Sequence, residues 1–165
     1  MPKRDEKCAD CSSSGLSFAP NNKSESKVAR EPCSWFEIHY LVKEVARKAG
    51  AKKYDCILGI ANGGIIPARL LAEELGIDNV KLLPVRKKQV VAAEMPALYK
   101  KKRYLIIDDI YDTGDTYSKV SKAVKGFSCD FAFCMARNPT DAGICGRILG
   151  HDRWIVFPWE REQKK

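Results

Sequence analysis

An unbroken apolar run that ends in a cluster of acids constrains this chain more than any other stretch. Tyr104-Leu105-Ile106-Ile107 is short, rich in β-branched side chains and free of charged residues. Such a run predicts a strand covered on both faces, as parallel sheets create. Asp108 and Asp109 follow at its carboxyl end, and Asp112-Thr113-Gly114-Asp115-Thr116 comes next. This second stretch opens a predicted helix with apolar positions at Val120, Ala123 and Val124. Four acids within eight residues at the end of a buried strand are costly to desolvate, so a plain acidic turn is a poor explanation of them. A ligand is expected there.

Ligands of open α/β sheets sit beyond the carboxyl ends of the strands. A helix amino end with free backbone N–H groups and threonine hydroxyls cradles a phosphate, and Gly114 lets the backbone approach it closely. Two carboxylates beside a phosphate would repel it, unless they hold sugar hydroxyls or a divalent cation. The combined demand is for a ribose 5-phosphate with free hydroxyls and a magnesium ion. No Gly-x-x-x-x-Gly-Lys-Ser/Thr occurs in the chain, which excludes a nucleotide P-loop.

With those residues in view, the segment resembles the 5-phosphoribosyl 1-diphosphate (PRPP) signature of type I phosphoribosyltransferases. Tyr111 is bulkier than the aliphatic residue usual in that signature. The resemblance implies that Asp108 and Asp109 take the ribose hydroxyls and Mg2+. It implies that Asp112, Thr113, Gly114, Asp115 and Thr116 form the PRPP phosphate loop, although no chemistry falls to the Asp115 side chain itself. Cys56-Ile57-Leu58-Gly59-Ile60 is a second buried strand, and Ala61-Asn62-Gly63-Gly64 leads from it into a helix over 65–75 closed by Gly76. By position this turn resembles the family's diphosphate loop. Asn62 stands where many relatives carry a basic residue, so diphosphate contacts are expected to lean more on backbone amides or on Arg86 and Lys87. Residues 88–99, with Pro96 and several lysines nearby, fall where the family has a mobile flap.

The carboxyl end narrows the acceptor. Trp154-Ile155-Val156-Phe157-Pro158-Trp159-Glu160 resembles the base-binding piece of bacterial xanthine-guanine phosphoribosyltransferases. That resemblance places Trp154 on the purine ring, the Ile155 backbone at its edge and Glu160 beside the diphosphate and metal. Core packing of both tryptophans is the competing reading. Arg137 falls where 6-oxopurine enzymes read the exocyclic oxygen with a lysine, and an arginine also donates to a carbonyl. Asp112 is the expected catalytic residue, hydrogen-bonding or accepting the proton at N7. The substrates implied are PRPP and guanine, xanthine or hypoxanthine. Two alternatives remain: a PRPP-sensing regulatory or nucleic-acid-binding protein on the same fold, and transfer to adenine or a pyrimidine.

The remaining elements complete an α/β order. Ser34 and Glu37 form a capping box, and Trp35, Ile38, Leu41, Val42 and Val45 recur at helical spacing up to Gly50. A strand is expected over 80–85 and another over 129–136. Strands alternating with helices predict a mostly parallel sheet flanked by helices, with a small C-terminal base-binding hood. At 165 residues the chain fits one domain of the usual ~100–200 residues. We expect residues 1–32 to be a polar, mobile extension and residues 33–165 the phosphoribosyltransferase domain.

Cys8 and Cys11 have the spacing of half a zinc site, and Cys33, Cys129 or Cys145 are candidates to complete it. Free thiols are the alternative. The seven cysteines follow no secretory signal, so a cytoplasmic protein without a disulfide framework is expected. No apolar run reaches the ~18 residues that a membrane span needs. The net charge of +8 is dispersed, without interleaved aromatics, so nucleic acid is not an expected partner. The family resemblance implies a homodimer or homotetramer.

Overall fold

The computed structural model describes residues 29–50 and 52–160. Cys8 and Cys11, and almost all of the expected extension, lie outside the described residues. The order is β1 (Arg30–Pro32), α1 (Trp35–Ala49), β2 (Cys56–Ile60), α2 (Ile65–Leu75), β3 (Val80–Leu83), β4 (Val85–Arg86) and β5 (Gln89–Val90). Then come β6 (Arg103–Tyr111), α3 (Asp115–Ala123), β7 (Ser128–Ala136), β8 (Ile144–Ile148) and β9 (Trp154–Val156). Five strands form one sheet in the order β3-β2-β6-β7-β8, and every pairing in it is parallel.

Alternation along β6 explains how both faces are filled. Leu105 and Ile107 join the α1 and α2 side, with Ile38, Leu41, Val45 and Leu71. Tyr104 and Ile106 point to the other face and meet Val120 and Val124, in and just after α3, together with Phe131 and Phe133. All four strand residues are buried. The sheet is therefore sandwiched between helices, as the order of elements requires.

Local signals set the helix ends. Ser34 accepts a hydrogen bond from the Glu37 N–H at 3.2 Å, and the Glu37 carboxylate accepts one from the Ser34 N–H at 2.9 Å. Gly76 closes α2 at φ 64°. No helix among the described residues is long and apolar enough to cross a membrane.

Four details differ from the sequence expectation. The strand expected over 80–85 stops at Leu83, because Pro84 cannot continue the ladder. Val85-Arg86 instead pairs antiparallel with Gln89-Val90 as a hairpin. β6 runs on past its apolar core to Tyr111, so Asp108 and Asp109 lie within the strand. β8 was not anticipated, and β1 lies inside the segment expected as extension. β1 pairs only with β9, in parallel, and the two form the hood beside the main sheet.

Candidate active site

The carboxyl half of β6 carries the paired carboxylates. Asp108 accepts from the Asp109 N–H at 3.0 Å, and Asp109 accepts from the Ile110 N–H at 2.7 Å. Both are half-buried, and neither takes part in an ion pair among the described residues. Burial, followed by repulsion from Asp109, holds the Asp108 carboxyl well above the usual range. Burial also raises Asp109, and the charge of Glu160 pushes the same way. The 61–64 turn presses on this pair: a Cβ added at Gly63 would fall inside the Asp109 carboxylate. Only glycine lets the turn pass so close. The peptide between Ala61 and Asn62 is cis.

This donor set fits magnesium. Mg2+ favours hard oxygen ligands and is commonly held by one or two carboxylates, with substrate oxygens and waters completing its shell. Two adjacent carboxylates without a cationic partner, whose charged forms are disfavoured by their surroundings, provide such a place. Glu160 is close enough to raise Asp109, but its carboxylate also accepts from the Phe157 N–H at 3.2 Å. Zinc finds no comparable support among the described residues, where no group of three or more His, Cys, Asp or Glu is arranged to hold a metal. The Cys145 thiol donates instead to the Arg147 carbonyl at 3.1 Å, and Cys33 is buried.

Beyond the carboxylates lies a cavity of about 170 Å³, lined by the whole stretch 108–117, by Lys88 and by Phe133. It gathers Asp108, Asp109, Asp112, Thr113, Gly114, Asp115 and Thr116 around one space. Gly114 caps α3 at φ 81°. L side chains rarely adopt that conformation. The Thr113 hydroxyl accepts from the Asp115 N–H at 3.4 Å. The Tyr111 ring leans on Phe133 at 5.0 Å and on Tyr117 at 5.9 Å. Its hydroxyl lies 2.6 Å from where a Gly114 Cβ would be, so it roofs the loop.

Arg137 joins this loop to the hood. Its Nε donates to the Asp112 carboxylate at 2.9 Å, and its Nη1 donates to the carbonyls of His151, at 3.1 Å, and Arg153. The guanidinium is largely enclosed, with 11% of the side chain exposed. Among the described residues Nη2 makes no such bond. Trp154 is 54% exposed, which sets aside core packing for this residue, whereas Trp159 packs against Trp35 and stacks on Phe157. The Trp154 N–H and the Val156 carbonyl bond across to β1, so the Ile155 N–H and carbonyl face the open edge of β9.

Not every expected site residue converges. Arg86 forms a two-pronged pair with Glu94 at 2.7 and 2.8 Å and does not line the cavity. Sequence reasoning missed Lys88, Tyr117 and Phe133 as cavity residues. Lys88 reaches the cavity through a hairpin that no local pattern announced. Tyr117 stands one position after Thr116, and its bulk was the signal available.

A parallel sheet with paired carboxylates in the carboxyl half of its central strand, beside a cavity at the amino end of a helix, defines an α/β protein with a polar site at the carboxyl edge of its sheet. Residues 26–138 match the family model described as the phosphoribosyl transferase domain, and the chain belongs to that family. A xanthine-guanine phosphoribosyltransferase of Nitratidesulfovibrio vulgaris is 30% identical over 142 residues, covering 79% of this chain and 85% of the relative. One from Idiomarina loihiensis is 28% identical, covering 77% and 84%. The crystal structure of a purine phosphoribosyltransferase from Pyrococcus horikoshii superposes with a TM-score of 0.69 at 31% identity, over 82% of this chain and 97% of that one. The protein is thus a phosphoribosyltransferase enzyme on the fold that its strand order predicts.

Proposed function

We propose that the protein transfers the 5-phosphoribosyl group of PRPP to a 6-oxopurine base, releasing pyrophosphate and forming the nucleoside monophosphate of purine salvage. The observation that carries this reading is the bond from Arg137 to Asp112, because it sets a carbonyl-seeking guanidinium and a carboxylate side by side at the meeting of loop and hood. A 6-oxopurine presents a carbonyl oxygen and N7 on one edge, the pair that these groups match. Adenine would turn an amino group toward the Arg137 donors.

In this reading the amides and hydroxyls of 113–116 hold the 5-phosphate, and Asp108 and Asp109 hold the ribose hydroxyls. The same two carboxylates would hold Mg2+, which when bound offsets charge gathering on the leaving diphosphate. The 61–64 turn approaches that diphosphate from the side of Asp109. Trp154 stacks on the base, the open edge of Ile155 meets its rim, and the Arg137 Nη2 donates to O6. Asp112 hydrogen-bonds the N7 side and takes its proton as the glycosidic bond forms. Arg137 orients that carboxylate through the bond from its Nε. The enzyme works in the cytoplasm as a homodimer or homotetramer, and light scattering of the purified protein checks that assembly.

Pyrophosphate release from PRPP and Mg2+, measured with guanine, xanthine, hypoxanthine, adenine and uracil, tests the proposal. We expect turnover with one or more 6-oxopurines, and a loss of roughly 100-fold or more in kcat for Asp112→Asn. PRPP binding without turnover on any base would overturn it.

A further inference from the structure

Asp115 sets a problem for the loop. It places a carboxylate at the first turn of α3, in the wall of the cavity that in the proposed reading receives a phosphate dianion. Nothing in the cradle requires a side chain there, since amides and hydroxyls do the holding. A second anion within a few ångströms of a bound phosphate raises the cost of binding it.

The chain brings a cation against that carboxylate from far away in sequence, in addition to the weaker influence of Lys119 in the same helix. Lys88 Nζ lies 3.2 Å from Asp115 Oδ2, and Lys88 also lines the cavity. Register pairs of Val85 with Val90 and Arg86 with Gln89 leave Lys87-Lys88 as a two-residue turn. Both lysines have positive φ, 49° at Lys87 and 59° at Lys88. That is the pattern of a type I′ turn, usually filled by Asn-Gly. Two L side chains in the left-handed region are strained, and such strain persists where the surroundings over-determine it. The Arg86–Glu94 pair ties the residue just before the turn to the segment that follows the hairpin. Asp115 is correspondingly held below the usual carboxylate range by Lys88.

We propose that Lys88 is a positioning residue for PRPP: its ammonium, delivered by the β4–β5 hairpin, neutralises the Asp115 carboxylate so that an acidic loop accepts the 5-phosphate. The pair acts as one neutral unit. This inference rests on the PRPP reading of the cavity and assigns the hairpin a role in ground-state binding. Both side chains are exposed. Water therefore moderates the electrostatic effect of the pair.

Calorimetric binding of PRPP with Mg2+ to the full chain tests both levels separately. If the unaltered protein binds no PRPP, the reading of the cavity fails before Lys88 is considered. If it binds, Lys88→Met should weaken affinity by about five- to tenfold, since an uncompensated anion then faces the phosphate. Asp115→Asn alone should tighten binding. Adding Asp115→Asn to Lys88→Met should recover most of the loss, the non-additive signature of a compensating pair. Affinity of Lys88→Met within twofold of the parent would overturn the inference. So would a double variant as weak as Lys88→Met, which would make Lys88 a direct phosphate ligand. Thermal melting of each variant separates these outcomes from misfolding.

Discussion

Burying Asp108 and Asp109 side by side, with no cation paired to either among the described residues, works against folding. Both groups release their protons at higher pH in the folded chain than the ~3.9 of a free aspartate. Between the two values the native state binds more protons than the unfolded state, so stability falls as pH rises through that window and the loss is complete above the folded value. Asp108→Asn should therefore melt higher than the parent at neutral pH, by about 2–4 °C if relief amounts to ~1 kcal/mol. The difference should shrink toward pH 4, and the variant should lose the stabilisation that PRPP and Mg2+ give the parent. A variant melting lower at pH 7 would contradict this account. The aspartates were legible in the sequence because four acids after a buried strand lack a bland explanation. Lys88 was not, because its partner Asp115 is 27 residues away and only the hairpin brings them together.

At the scale of elements, local chemistry was readable and non-local pairing was not. α1 begins where Ser34 and Glu37 predict, and α2 ends at Gly76, because caps are contacts among residues a few positions apart. Ser34→Ala should cost about 1 kcal/mol, seen as a lower urea midpoint with unchanged slope. Glu37 also pairs with Arg147 of β8 at 3.3 Å, so Glu37→Ala should cost more than Ser34→Ala. β1 and β8 escaped notice for the opposite reason. Arg30-Glu31-Pro32 has no apolar alternation and becomes a strand only through β9. Ile144-Cys145-Gly146-Arg147-Ile148 is interrupted by glycine and a charge, and exists because β7 has an open edge. The 61–64 turn carries its own prediction. Gly63→Ala must displace the Asp109 carboxylate, so PRPP affinity should fall at least tenfold while circular dichroism stays that of the parent. Retained affinity would show that the turn can yield.

The whole molecule has two packed faces on one sheet, and the thiols report on them. Burial raises Cys33 and Cys129 to about 11 and holds Cys134 well above the ordinary thiol range, so thiolates are scarce in the folded state. In a Cys8→Ser/Cys11→Ser protein, the five remaining thiols should react slowly with a disulfide reagent until denaturant is added. Rapid labelling of Cys134 in native buffer would mean that the sheet opens far more readily than its packing implies. The mostly parallel sheet flanked by helices was legible from the alternation of apolar runs and turns, whereas the order of strands within it was not. The hood's union with the loop was not, because it hangs on one long side chain reaching across 14 residues to the His151 carbonyl.

That union has a thermodynamic consequence. Arg137 holds Asp112 with one nitrogen and the backbone of the hood with another, so a ligand that shifts the loop also pulls on the hood, where we propose the base sits. Free energies around a closed cycle must agree. If filling the phosphate loop strengthens the grip on a purine by some factor, the purine strengthens the grip on the phosphoribosyl donor by the same factor. Titrating guanine with and without ribose 5-phosphate, and then the reverse, should give one common ratio, and Arg137→Met should bring that ratio to unity.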